Sequence, residues 1–63
     1  MNDKKYTYKG MTDDGQIIYR RASSDEQAKL LLIRAAEHQG SATTFTDFSV
    51  YRNGTWRRIS YGF

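Results

Sequence analysis

No cysteine occurs among the 63 residues, and that absence narrows the choice of fold more than any motif does. A chain of this size has length for one small domain, and such domains commonly lean on a disulfide or a Cys-ligated metal because their cores are thin. Neither staple is available, so packing alone has to hold the fold. Hydrophobic residues at 38% and charged residues at 27% give a globular balance. There is no apolar run of about 18 residues and no charged, apolar, small-residue leader, which predicts no membrane span and a cytoplasmic setting of bacterial or phage type. With one His, no Cys and no Gly-rich phosphate loop, the expectation is a non-catalytic binding module with no cofactor and no metal.

Two turn signals bracket a single helical stretch. Lys4 to Met11 carries Tyr6 and Tyr8 at period two, and Gln16 to Ala22 is β-branched and aromatic through Ile17, Ile18 and Tyr19, so both read as strands. Between them, Thr12-Asp13-Asp14-Gly15 supplies turn-forming Asp and a Gly free to take positive φ. A three-residue loop with a bulge at Gly15 puts Tyr6, Tyr8, Gly10, Ile18 and Ala22 on one face. A two-residue Asp14-Gly15 loop would instead group Tyr6, Tyr8, Ile17 and Tyr19. The three-residue version is preferred.

Ser23 and Ser24 are each followed three residues later by Glu26 or Gln27, so either can cap a helix from Asp25 to Gln39 with a reciprocal capping box. Asp25 and Glu26 suit the positive end of the helix dipole, His38 suits the negative end, and Gly40 is placed to terminate it. At about 100° per residue, Ala28, Leu31, Leu32, Ala35 and Ala36 fall on one stripe that should face a sheet. After a loop from Gly40 to Thr43, Thr44 to Arg52 alternates again and Asn53-Gly54 signals a two-residue type I′ turn into a last strand, Thr55 to Phe63. That turn sets Tyr51 opposite Trp56, Val50 opposite Arg57, Ser49 opposite Arg58, Phe48 opposite Ile59 and Thr46 opposite Tyr61. Phe48, Val50, Ile59, Tyr61 and Phe63 then form an apolar face, with Asp47, Ser49, Tyr51, Trp56, Arg58 and Ser60 on the reverse. The predicted architecture is a two-layer α+β domain, ββαββ: hairpin 4–22, helix 25–39 and hairpin 44–63 behind a polar tail 1–3. One helix packs on one face of an antiparallel or mixed four-stranded sheet.

The order Tyr6-x-Tyr8-x-Gly10, Gly15, Ala22-x-Ser24-x-x-Gln27-Ala28 resembles the strand-turn-strand-helix rhythm of small cytoplasmic α+β modules. Among them are the N-terminal modules of type II secretion inner-membrane F proteins. The resemblance covers about the first 30 residues and implies local fold without a function, because turn and cap chemistry dictates those positions.

The net charge of +3 is unevenly spread. Lys4, Lys5, Lys9, Arg20 and Arg21 outnumber Asp3, Asp13 and Asp14 in the first hairpin, and Arg52, Arg57 and Arg58 outnumber Asp47 in the second. In the helix, Lys29 and Arg34 are outnumbered by Asp25, Glu26 and Glu37. The sheet is therefore basic and attractive to polyanions. On the preferred registers the face away from the helix carries Lys5, Lys9, Tyr19 and Arg21 from the first hairpin and Tyr51, Trp56 and Arg58 from the second. Single-stranded nucleic acid fits such a surface, since bases stack on rings and phosphates meet Arg or Lys. The plainer account is that Tyr51 and Trp56 are a cross-strand pair whose rings are covered by nearby Arg and Lys stems.

Leu30 and Ile33 lie opposite the core stripe beside Arg34. They suggest a different use: docking of an acidic protein surface, as in a phage-type inhibitor or regulator, or a homodimer contact through the helix. The plainer account here is a sheet that curls far enough to bury one of them. Asp13 and Asp14 read as turn residues, His38 as a helix-end residue, and Ser23 and Ser24 as caps. Arg57 and Arg58, being consecutive in a strand, point to opposite faces and cannot serve one site.

Overall fold

Both hairpins close on glycines in the left-handed region of backbone space, and each turn sets the register within its own hairpin. In the computed structural model, which describes residues 4–59, Gly15 has φ +91°, while Asn53 and Gly54 have φ +53° and +77°. The first turn is the three-residue form: the Thr12 N–H bonds the Gln16 carbonyl at 2.8 Å, and the Gly15 N–H bonds the Thr12 carbonyl at 2.9 Å. The second is the type I′ turn expected of Asn-Gly.

The elements follow as β1 Tyr6–Thr12, β2 Ile17–Ala22, α1 Asp25–Gln39, β3 Phe45–Arg52 and β4 Thr55–Arg58. The sheet is antiparallel at every pairing, in the order β2-β1-β3-β4. This is the two-layer ββαββ domain expected, with the choice between antiparallel and mixed resolved. Tyr6 faces Ala22 and Gly10 faces Ile18; Tyr51 faces Trp56 and Ser49 faces Arg58. The expected roles of Ser60, Tyr61 and Phe63, and of the tail 1–3, lie outside the described residues.

Ser24 is the cap that forms, its hydroxyl accepting from the Gln27 N–H at 3.1 Å. The Gln27 amide oxygen reaches back one residue further than a standard capping box, accepting from the Ser23 N–H at 2.8 Å. At the other end Gly40 has φ +72°. The Ser41 N–H bonds the Ala36 carbonyl at 2.9 Å and the Gly40 N–H bonds that of Glu37 at 3.1 Å, a Schellman closure. The helix lies over β2 and β1. Ala28, Leu32, Ala35 and Ala36 are buried beneath it, and Leu31 packs at the margin.

Tyr8, in the middle of β1, one of the two inner strands, is fully buried. Its ring stacks on Phe48 at 5.8 Å, and its hydroxyl donates to the Asp25 carboxylate at 2.7 Å. Burial, and then that hydrogen bond, push the phenol up to about 12 from 10.0.

Thr46 introduces the main departure from regular pairing. Met11 faces Asp47 but Thr12 faces Phe45, so one residue of β3 is extra, and the bulge reverses side-chain parity. Phe45, which strict alternation would place with Asp47 on the outer face, packs against the core instead. It closes over Gly10, where an added Cβ would sit 2.9 Å from both Leu32 Cδ1 and Phe45 Cδ2. The hairpin turn is tied to the chain leaving the helix. Thr44 donates its hydroxyl to the Asp13 carboxylate, and the Ala42 N–H donates to Asp14 at 3.2 Å. The buried Thr12 hydroxyl donates to Asp14 and holds that carboxyl below the ordinary carboxylate range.

Gly10→Ala is expected to lower stability by about 1–3 kcal/mol in denaturant unfolding, because buried Leu32 has to shift to admit a methyl group. Tyr8→Phe leaves the Asp25 carboxylate without its donor and should cost about 1.5–3 kcal/mol at neutral pH. Because the folded phenol titrates above the unfolded one, its contribution is complete below pH 10 and is lost as pH rises toward about 12. Unfolding midpoints measured across that range should fall more steeply for the natural sequence than for Tyr8→Phe.

Candidate nucleic-acid interface

Strand register brings all six expected contact residues to the face away from the helix. Reading across the sheet from β2 to β4, one row is Arg21, Thr7, Tyr51 and Trp56; the next is Tyr19, Lys9, Ser49 and Arg58. A third row, Ile17, Met11 and Asp47, borders the second.

The rings converge more tightly than the rows require. β4 and β2 are separated by three strand spacings, about 14 Å between backbones, yet the Tyr19 and Trp56 ring centroids are 6.2 Å apart. Both side chains must therefore lean inward over β1 and β3. Tyr51 meets the indole edge-on, with centroids at 5.2 Å. The Lys9 ammonium sits 4.7 Å from the Trp56 ring centroid, a cation–π contact. This explains Ser49, which belongs to the outer face by register but is only 6% exposed: side chains from both flanks crowd over it. Tyr19, Tyr51 and Trp56 themselves remain 52%, 44% and 40% exposed.

The cross-strand pairing of Tyr51 and Trp56 and the cation over a ring are both present, so the cluster supports the hairpin as well as presenting a surface. Arg21 is exposed at one end of its row. Arg58 is held near Asp47 (Nε to Oδ1 3.5 Å), with its side chain 77% exposed. An ion pair that open contributes little to stability and leaves the guanidinium available to another anion. Ile17, 55% exposed, and half-buried Met11 extend the apolar part of this face. Sequence reasoning passed over both as contacts, although the three-residue loop that places Tyr19 outward also places Ile17 there.

The helix candidates separate. Leu30 is 63% exposed and Arg34 is exposed, but Ile33 is half-buried, so the expected apolar pair reduces to Leu30. Leu30 and Arg34, with Gln27 and Leu31, line a shallow depression of about 220 Å³. It lies on the helix and apart from the aromatic cluster.

On the helix side of the sheet, Arg57 stands opposite Val50. With Asp25, Arg52 and Ile59 it borders a second depression of about 220 Å³. The Arg52 guanidinium lies 4.4 Å from the Tyr6 ring centroid. Arg57 and Arg58 thus occupy opposite faces, as consecutive strand residues must. Among the described residues no cluster of His, Cys, Asp or Glu could hold a metal ion, and no helix is long and apolar enough to cross a membrane. Comparison of the chain with protein-family models, curated proteins and solved structures finds no match in any of the three.

Proposed function

We propose that this chain is a small non-catalytic binding module that takes single-stranded nucleic acid on its outer sheet face. One observation carries the reading: Tyr19, Tyr51 and Trp56, from three different strands, form a single half-exposed ring cluster. Lys9 lies at its centre, and Arg21 and Arg58 flank it. Bases stack on exposed ring faces without regard to sequence, and the cations track the phosphates. Tyr19, Tyr51 and Trp56 act as stacking platforms; Lys9, Arg21 and Arg58 are the phosphate contacts. The net charge of +3 favours the same class of partner.

Titration with mixed-sequence single-stranded oligonucleotides at two salt concentrations tests this. Trp56 fluorescence should be quenched, and affinity should fall steeply as salt rises. With a labelled oligonucleotide followed by polarisation, Trp56→Ala should weaken binding by about 1–3 kcal/mol. Arg21→Ala should weaken it while leaving thermal stability unchanged and lowering the salt slope by about 0.7. Indifference of Trp56 emission to every oligonucleotide at low salt would remove the reading.

The exposure of Leu30 beside a depression favours a second reading, a protein-binding accessory or regulator that docks or dimerises through Leu30, Ile33 and Arg34. Sedimentation equilibrium decides it: a dimer that Leu30→Glu dissociates supports this use of the helix. A monomer at all concentrations restricts the surface to a different protein partner.

A further inference from the structure

Hydrogen-bond parity leaves half of the β2 backbone unclaimed. The bond from the Thr12 N–H to the Gln16 carbonyl marks that pair as hydrogen-bonded, and in an antiparallel ladder such pairs recur at every second residue. With the observed register, Gly10 with Ile18, Tyr8 with Arg20, and Tyr6 with Ala22 are the pairs that exchange bonds. Ile17, Tyr19 and Arg21 therefore turn N–H and C=O away from β1, and β2 is the outermost strand on that side.

Among the described residues no other segment bonds to this edge through its backbone. The edge is occupied at one point, where the Arg20 guanidinium folds back and donates to the Tyr19 carbonyl at 2.7 Å.

An edge strand of this kind is a template for another strand unless it is short, bulged, interrupted by Pro or guarded by charged side chains. The two arginines here guard against a neutral or basic strand but not against an acidic one. β2 has six residues, IIYRRA, with no Pro and no bulge in its ladder; β4 on the opposite edge has four residues. Ile17 and Tyr19 are exposed to pack against side chains of an added strand. Arg20 and Arg21 are exposed too, and no described carboxylate pairs with either. A second copy of β2 would bring two further arginines and no carboxylate to this edge, leaving unpaired the guanidiniums that an acidic strand would pair.

We propose that the free edge of β2 receives an extended acidic segment of another protein, bonded to the backbones of Ile17, Tyr19 and Arg21, with its carboxylates on the helix side of the sheet meeting Arg20 and its apolar side chains on the outer side packing on Ile17 and Tyr19. Docking replaces the Arg20 bond to the Tyr19 carbonyl with a strand N–H and releases that guanidinium to a carboxylate. Main-chain bonds supply the affinity, and Arg20 selects the charge of the partner.

The test is amide hydrogen exchange by NMR on the full chain, alone and with a blocked peptide of about ten residues alternating Val and Glu, against its Val and Lys counterpart. The Glu peptide should slow exchange at Ile17, Tyr19 and Arg21 roughly tenfold and leave Ile18 and Arg20 unchanged, because these two are already bonded to β1. The Lys peptide should do neither. Ile17→Pro deletes one outward N–H and no ladder bond, so it should weaken Glu-peptide binding about fivefold. No alternating protection, equal protection by the Lys peptide, or the same protection arising without peptide as protein concentration rises would each overturn the proposal. The exchange pattern of the natural sequence decides the matter even if Ile17→Pro does not fold.

Discussion

Tyr8 joins the two layers at the point where both most need it. It sits in β1, one of the two strands hydrogen-bonded on both sides, and reaches Phe48 on β3 with its ring and Asp25 on the helix with its hydroxyl. A phenol can be fully buried at low cost only when its O–H has a partner, and the first turn of α1 provides one. The same carboxylate also suits the positive end of the helix dipole. One side chain thereby sets the height of the helix over the sheet and the position of its first turn, in a chain with no covalent staple. The small stripe of Ala28, Ala35 and Ala36 then lets the helix approach closely, and Gly10 accepts Leu32 and Phe45 where any larger residue would push them away.

The two faces of the sheet divide the aromatic residues by task. Tyr8, Phe45 and Phe48 serve the core, and Tyr19, Tyr51 and Trp56 lie outside. The division follows from register, because a one-residue slip in either hairpin would exchange the sets. Gly15 and Asn53-Gly54 guard against that slip through backbone conformations that other residues adopt only with strain. Ring chemistry alone does not distinguish the two groups of aromatics; turn length does.

Local rules made the hairpins, the Gly40 stop and the core stripe readable from sequence, since turn type, capping and helical period act over a few residues. They also placed all six outer-face candidates correctly relative to the helix, because face is a matter of parity. Strand order was not readable: the pairing of β1 with β3 depends on how the helix crosses, and no short-range signal encodes it. The bulge at Thr46 was hidden for a related reason. An alternating run from Thr44 to Arg52 looks unbroken until β1 is laid beside it, so Phe45 was not expected in the core. Tyr8 and Asp25, distant in sequence, gave no hint of their bond. At the helix surface, periodicity put Leu30 and Ile33 together, whereas only Leu30 is open to solvent. The inclination of Trp56 toward Tyr19 is likewise a tertiary effect, arising from side chains that crowd a shared patch.

The β1–β3 seam carries a consequence for how this molecule becomes competent. Tyr19 belongs to one hairpin, and Tyr51 and Trp56 belong to the other. Either ribbon formed alone would hold only part of the ring assembly, so a nascent or partly denatured chain lacks the whole platform. Closure of the seam and maturation of that platform are one cooperative event, and the lone indole, lying across the join, is an intrinsic reporter of it.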